Sequence, residues 1–268
     1  EQWDAGSDNG GEGALDGVRM IFDSSAGGSD ADGGVNSTGQ DANGATLTFT
    51  GTFDYDEAYE VLALVNQERA AQGRSALGMD STLLEAAMQR AAECAVDYNH
   101  TRPNGKDSIT VLKREPDRYG ENIACGQWDA AGVMVDWMLS PGHRDNILHK
   151  DFASVGIGCF YQNGTKYWVQ LFSDVRAAVP QKRVAETAGA TVSVLHDKVT
   201  LQAPQNTQDI FLGDGQELTL TANGLKLDPS CFTAASSDER IITVQDGTVT
   251  GANLGGATIT LKLRDSAK

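Results

Sequence analysis

From residue 54 onward the hydrophobic positions keep first a helical period and then a strand period. Asp54-Tyr55-Asp56-Glu57 has the form of a capping box, and Ala58, Val61, Leu62 and Val65 follow at helical spacing until Gly73 stops the run. A second helix opens at Asp80-Ser81-Thr82. It carries Leu84, Ala87, Met88, Ala91, Ala95 and Tyr98 on one face and must end before the turn residues Pro103-Asn104-Gly105. A third starts at Asp129 with Ala130, Val133, Met134, Trp137 and Met138 on one side. Ser140-Pro141-Gly142 breaks it before a short helical turn through Ile147. Beyond this the period falls to two. Val155, Ile157, Cys159 and Tyr161 alternate in one run, and Tyr167, Val169 and Leu171 alternate with Trp168, Gln170 and Phe172 in the next. Asn163-Gly164 lies between them, and a two-residue turn there sets Cys159 opposite Trp168. Helices followed by antiparallel strands predict an α/β layered domain over residues 51–178, not a parallel doubly wound sheet.

The flanks differ in texture. From about Ala190 short alternating strands recur: Thr191–Leu195, Lys198–Gln202, Glu217–Thr221, Ile241–Gln245, Thr248–Thr250 and Ala257–Leu263. Turns such as Asp246-Gly247 separate them, which predicts a small all-β sandwich over 190–268. Val179 to Gly189 reads as the linker to it. Residues 1–50 hold nine acids, one base and 11 of the 30 glycines, with one strand candidate at Val18–Phe22. They read as an acidic, Gly-rich linker or stalk. Ser29–Gly34 has a hint of a calcium loop, but the spaced third acid and the closing Glu are absent.

Charge narrows the partners. The 268 residues carry a net charge of -16 and a pI near 4.5. Such a chain repels phosphate backbones and anionic bilayers, so nucleic acid is excluded as a general partner. No apolar run approaches the ~20 residues of a membrane span, so no transmembrane segment is expected. The opening EQWDAGSDNGG lacks the basic-then-apolar pattern of a signal peptide, so a leader is either absent or already removed.

Four histidines are present: His100, His143, His149 and His196. His100 follows a helix end, His143 sits in Ser140-Pro141-Gly142-His143-Arg144, and Glu121 lies between them in Gly120-Glu121-Asn122. Two imidazoles and a carboxylate can hold a divalent metal with water in the open position. Glu121 can instead serve as general base on that water. The plainer reading makes all three caps and loop anchors. His149, six residues past His143, is about 240° round a helix from it and faces away; His196 reads as a surface residue.

These residues carry a resemblance. Val65-Asn66-Gln67-Glu68-Arg69, His100-Thr101-Arg102-Pro103-Asn104-Gly105, Gly120-Glu121-Asn122-Ile123-Ala124, Trp137 through Leu148, Val155-Gly156-Ile157-Gly158 and Tyr167-Trp168-Val169-Gln170 stand in one order along about 120 residues. Together they resemble the bacterial branch of the CAP superfamily: cysteine-rich secretory proteins, antigen 5 and plant pathogenesis-related proteins of group 1. The resemblance implies a three-layer α-β-α sandwich and a cleft where His100, Glu121 and His143 converge. It also implies zinc or another divalent metal held through the two His, with Glu121 a ligand directly or through water. Where the family has a second acid, this chain has Ser140, and Asp136 one turn earlier points elsewhere. A metal is therefore expected to bind weakly and reversibly. Residues 235–260, with Ala235-Ser236-Ser237-Asp238 and Asp246-Gly247-Thr248-Val249-Thr250-Gly251, resemble a bacterial immunoglobulin-like domain of group 2, which implies a spacer with its own separate core.

The resulting expectation is a secreted or cell-surface protein acting as a binding module on a lipid, peptide or cell-envelope component. The alternatives are a metal-assisted hydrolase of peptide or cell-envelope bonds with Glu121 as base, and a structural wall or spore-coat protein. Cys94, Cys125 and Cys159 leave three pairings or free thiols open, and Cys231 has no partner in its own segment.

Overall fold

A computed structural model of the chain describes residues 17–23, 44–203 and 207–265. Along the first two thirds the elements run β1 (Gly17–Asp23), β2 (Gly44–Phe53), α1 (Tyr55–Ala71), β3 (Gly78–Met79), α2 (Ser81–Val96), β4 (Tyr119–Cys125), α3 (Ala130–Leu139), α4 (Pro141–Ile147), β5 (Ser154–Gln162), β6 (Thr165–Ser173) and β7 (Glu186–Leu195). The helix starts follow the cap chemistry. Asp54 Oδ1 accepts the Glu57 N–H, Asp80 accepts from Thr82 and Leu83, and Asp129 accepts from Gly132. Only half of the expected capping box forms. The Glu57 carboxylate turns outward to Lys166 and to the Ala130 N–H, and so ties α1 to β6 and to the start of α3. Gln72 and Gly73 end α1, with Gly73 at a φ of 65°.

These strands form one sheet in the order β4-β6-β5-β2-β7, with β3 running parallel to β5. Asn163 and Gly164 both have positive φ, 48° and 81°, and the tight turn they make pairs Cys159 with Trp168. Strand β5 is buried on both faces. On one face Gly156 and Gly158 admit the α2 backbone; a Cβ there would lie 2.0 Å from Leu83 and 2.1 Å from the Ala87 carbonyl. On the other, Val155, Ile157 and Cys159 pack with Val61 and Val65 of α1 and Val133 and Trp137 of α3. Helices thus cover both faces of the sheet.

The remaining strands are β8 (Leu201–Gln202), β9 (Thr207–Phe211), β10 (Gly215–Glu217), β11 (Thr221–Ala222), β12 (Leu225–Lys226), β13 (Phe232–Ser236), β14 (Ile242–Gln245), β15 (Thr248–Gly251) and β16 (Gly255–Leu263). They make three small sheets: β13-β16-β1-β9, β10-β15-β14 and β12-β11-β8. Asp246-Gly247 and Asn223-Gly224 repeat the positive-φ pair at two hairpins.

Several boundaries move. Residues 44–50, read as the end of a linker or stalk over 1–50, belong with 51–53 to a full strand of the central sheet, paired with β7 from Gly44↔Leu195 to Phe53↔Glu186. Residues 186–195, read partly as linker and partly as the first strand of the β module, are its partner. Val18–Phe22 is a strand, but of the C-terminal sheet, where it runs parallel to β16 and antiparallel to β9. The 51–178 and 190–268 segments do not have separate cores: Ala87, Ala91, Phe160 and Val169, with Leu47 and Phe49 of β2, share one buried cluster with Leu220, Ala222, Leu225 and Phe232. Helix α2 is buried nearly all round and not on one face, and Tyr98 lies beyond its end, 47% exposed. The calcium-loop hint at Ser29–Gly34 falls outside the described residues.

Candidate functional site

The expected residues come from three pieces of backbone. His100 lies in the loop that leaves α2 after Asp97. Glu121 stands on β4 opposite Leu171, on the α2 side of the sheet. His143 is on α4, which Pro141 starts at its first turn. His100 Nδ1 is 2.9 Å from Glu121 Oε1. The Glu121 side chain is 4% exposed, whereas that of His100 is 60% exposed. The His143 carbonyl accepts a 3.0 Å bond from Nδ2 of Asn122, the next residue of β4 after Glu121. Asn122 is fully buried, donates to Gln170 Oε1 as well, and accepts from Asn146 of α4. This side-chain ladder fixes α4 against β4 and β6. The His143 ring has its pKa lowered, by burial first and by His100 second.

A group that the sequence reading passed over dominates the site. Arg90 of α2 is 0% exposed and lies behind Glu121. Its Nε is 3.2 Å from Oε2 and its Nη2 is 3.2 Å from Oε1. Arg90 also donates to Glu93 and to the Asn99 carbonyl. Glu93 in turn is held by Arg102, at 3.0 Å to Oε2 and 2.5 Å to Oε1. Two guanidinium groups and two carboxylates therefore close a nearly dry, charge-balanced network around the first turn of the His100 loop. Burial alone would lower the Arg90 pKa, but its bonds to Glu121 and Glu93 outweigh that and raise it. Tyr119 adds a hydroxyl 3.4 Å from Glu121 Oε2; burial, then the Glu121 charge, raises its pKa. Arg90 stands at a polar position inside a helical pattern, and the usable signal was its spacing to Glu93, three residues on, on a helix that also faces the His100 loop.

The other candidates lie elsewhere. His149 packs against Phe152 with the rings tilted and their centroids 4.7 Å apart, and accepts the Asp151 N–H. His196 is part-buried, not a surface residue, and lies 3.6 Å from Asp265. Asp136 points away, accepting from Gln127 Nε2 at 2.8 Å. All four cysteines are free, with Cys125 exposed and the other three buried. Among the described residues no group of three or more His, Cys, Asp or Glu is placed to hold a metal ion. Both Glu121 oxygens already accept from Arg90, which leaves Glu121 poorly suited as a direct metal ligand.

Residues 62–172 match the family described as CAP, the cysteine-rich secretory protein family. The match lies in the middle of the chain, and the β module lies outside it. Among curated proteins, YkwD of Bacillus subtilis strain 168, named as uncharacterized, is 34% identical over 134 residues, covering 47% of this chain and 51% of that protein. YlbC of the same strain, an uncharacterized membrane protein, is 27% identical over 118 residues, covering 41% of this chain and 34% of that protein. The matched region spans about half or less of these relatives. Among solved structures, an extracellular SCP-domain protein of Bacillus anthracis is 24% identical with a TM-score of 0.41, over 46% of this chain and 41% of that one. Among the described residues no helix is long and apolar enough to cross a membrane.

Proposed function

We propose that the chain is a secreted or cell-surface bacterial CAP-domain protein, a three-layer α-β-α sandwich with an immunoglobulin-like β module, that acts by binding and not by hydrolysis. The observation that carries this reading is the clamp on Glu121. A general base needs a free lone pair on the attacking water and must take up a proton. Glu121 spends both oxygens on a buried guanidinium and one of them also on His100, and protonating it would leave the buried network of Arg90, Arg102 and Glu93 with one positive charge in excess. The same bonds suit a different task. A carboxylate at Nδ1 fixes the ring and tautomer of His100 and leaves Nε2 as the nitrogen for a ligand, as in carboxylate–histidine pairs behind metals. His100 and a neutral His143 can then offer two nitrogens to zinc or another divalent ion, with solvent completing the shell. A two-nitrogen, open site binds weakly, and the domain folds without it. A lipid, peptide or cell-envelope component is the class of partner this cleft would serve.

The test is co-sedimentation with insoluble cell-wall material, together with turnover assays on peptide and ester substrates. Binding that falls on joint replacement of His100 and His143 by Ala, with no turnover, supports the reading. Hydrolysis by the wild-type protein that disappears in Glu121→Gln would overturn it and restore Glu121 as a base.

A further inference from the structure

The β module was expected to be a spacer, and its contacts say otherwise. Its β11–β12 turn, Asn223-Gly224, is wedged against the C-terminal end of α2. Asn223 has a φ of 50°, which presents its amide outward from a tight turn. Nδ2 donates to the Val96 carbonyl at 2.9 Å, on the last residue of α2, and also to the Lys198 carbonyl at 2.9 Å. Oδ1 accepts the Thr200 N–H at 2.8 Å, which locks the amide orientation. The C-cap residue that follows α2, Asp97, has its Oδ2 3.2 Å from Lys198 Nζ, an ion pair by distance though not aligned as a hydrogen bond. On the far side of the turn the Gly224 carbonyl accepts from Asn163, at the tip of the β5–β6 hairpin.

These contacts fall where the His100 loop begins. Val96 and Asp97 are four and three residues before His100. The loop is caught a second time at Pro103, whose carbonyl accepts the Leu195 N–H at 2.9 Å, one residue before the chain enters the β module. Gly105, at a φ of 80°, lets Leu195 approach so closely that a Cβ there would lie 2.9 Å from its Cδ1. From the opposite side the loop is held by Arg90 at the Asn99 carbonyl and by Arg102 on Glu93. The loop is therefore gripped between the buried ion network on one side and, on the other, the end of β7 together with the β module. His100, 60% exposed, has Glu121 as its side-chain partner and depends on its backbone for position.

We infer that Asn223 and Lys198 are positioning residues: through Val96 and Asp97 the β module holds the loop that carries His100, and so keeps Nδ1 on Glu121. The module is a working part of the cleft, not a spacer. By linkage, whatever orders the loop also favours the docked module, and the reverse holds to the same degree. The inference concerns loop position alone and does not require the metal-binding or partner reading.

The experiment compares the full chain with Asn223→Gly, which tolerates positive φ and removes only the amide, and with Lys198→Met, which keeps the stem and removes the charge. Amide hydrogen exchange is followed across 97–107 and in α3, and the His100 ring nitrogens are read by two-bond proton–nitrogen correlation at fixed alkaline pH. Both variants should exchange faster over 97–107, by about tenfold in Asn223→Gly for the loss of the bond to Val96, and by a smaller factor in Lys198→Met, which loses a partly exposed ion pair. Exchange in α3 should not change, and His100 should pass from a single Nδ1–H tautomer toward a mixture. Unchanged exchange and an unchanged tautomer in both variants would overturn the inference. So would faster exchange spread evenly over loop and α3, which would make the contact a general contribution to stability.

Discussion

Arg90 decides what its neighbours can do chemically. It is fully buried, and its charge is balanced by Glu93 and Glu121. Breaking such a pair costs more than forming it gains, because the remaining ion stays desolvated. Arg90→Met should therefore destabilise the protein by about 3–5 kcal/mol, with the cost falling on Glu121, since Glu93 keeps Arg102. Urea midpoints at constant slope measure this; a loss under ~1 kcal/mol would mean that His100, Tyr119 or water compensates Glu121. Arg90→Lys should recover part of the loss, not all, because an ammonium cannot meet both Glu121 oxygens in a fork. His143 gives a pH signature. Burial and the neighbouring His100 lower its folded pKa below the unfolded value near ~6.5. The folded state then binds fewer protons, so the contribution is fully present above the unfolded pKa and is lost as pH falls through the folded one. An NMR titration of the His143 ring should show a midpoint below ~6.5, and a midpoint at or above that value would show the ring to be hydrated and the cleft open. His100 and His143 were legible because each sits in a motif beside turn residues. Arg90 was not, because a helical pattern records it as one more outward polar position, and only a second covering layer turns that position inward.

Elements were legible where local chemistry alone selects them. The three Asp N-caps, the Gly73 stop and the Asn163-Gly164 hairpin need no tertiary contact to be favoured, and all form. Strand β2 was missed for a different reason. Ala45, Leu47 and Phe49 alternate cleanly with Thr46, Thr48 and Thr50, and the first three are buried. The run is ten residues long and follows an acidic, Gly-rich stretch whose composition masked it. Its partner β7 lies about 140 residues away, a distance over which local patterns carry no information. The helix–sheet contact is the element-scale feature most open to test. Gly158 has no Cβ because the α2 backbone occupies that space, with the Ala87 carbonyl 2.1 Å from where a Cβ would stand. Backbone cannot rotate away as a side chain can. Gly158→Ala should thus cost about 3 kcal/mol, at the upper end of overpacking, although it improves strand propensity. Gly164→Ala serves as the comparison: its Cβ would meet nothing within 4 Å, and the cost there comes only from a φ of 81°. Equal losses in chemical denaturation would show that α2 shifts to make room and that the close approach is not a fixed feature of the fold.

At the scale of the whole chain, the path of the backbone argues against modules strung on a linker. The chain contributes β1 to the C-terminal sheet, leaves to build the central sheet, and returns to complete the sheet it started. The portion that matches the CAP family is in effect inserted between two parts of the β module. Contacts across the junction are of core type. The Thr48 N–H lies 2.9 Å from Cys231 Sγ, and its carbonyl accepts the Asp228 N–H at 2.8 Å. The residues flanking Thr48, Leu47 and Phe49, belong to the same buried cluster as Leu220, Leu225 and Phe232. A linker-joined pair of domains would have a small, polar interface and would melt independently. A shared core makes unfolding of either part expose apolar surface of the other, and that coupling joins the two transitions. Scanning calorimetry should therefore give one endotherm with a van't Hoff enthalpy close to the calorimetric one. Thr48→Pro tests the cause. It removes the N–H to Cys231 and a central β2 position in one change, so both parts should lose stability together and melt earlier as one. Two resolved endotherms in the wild-type protein would show that the modules fold apart and that the junction is only a docking contact.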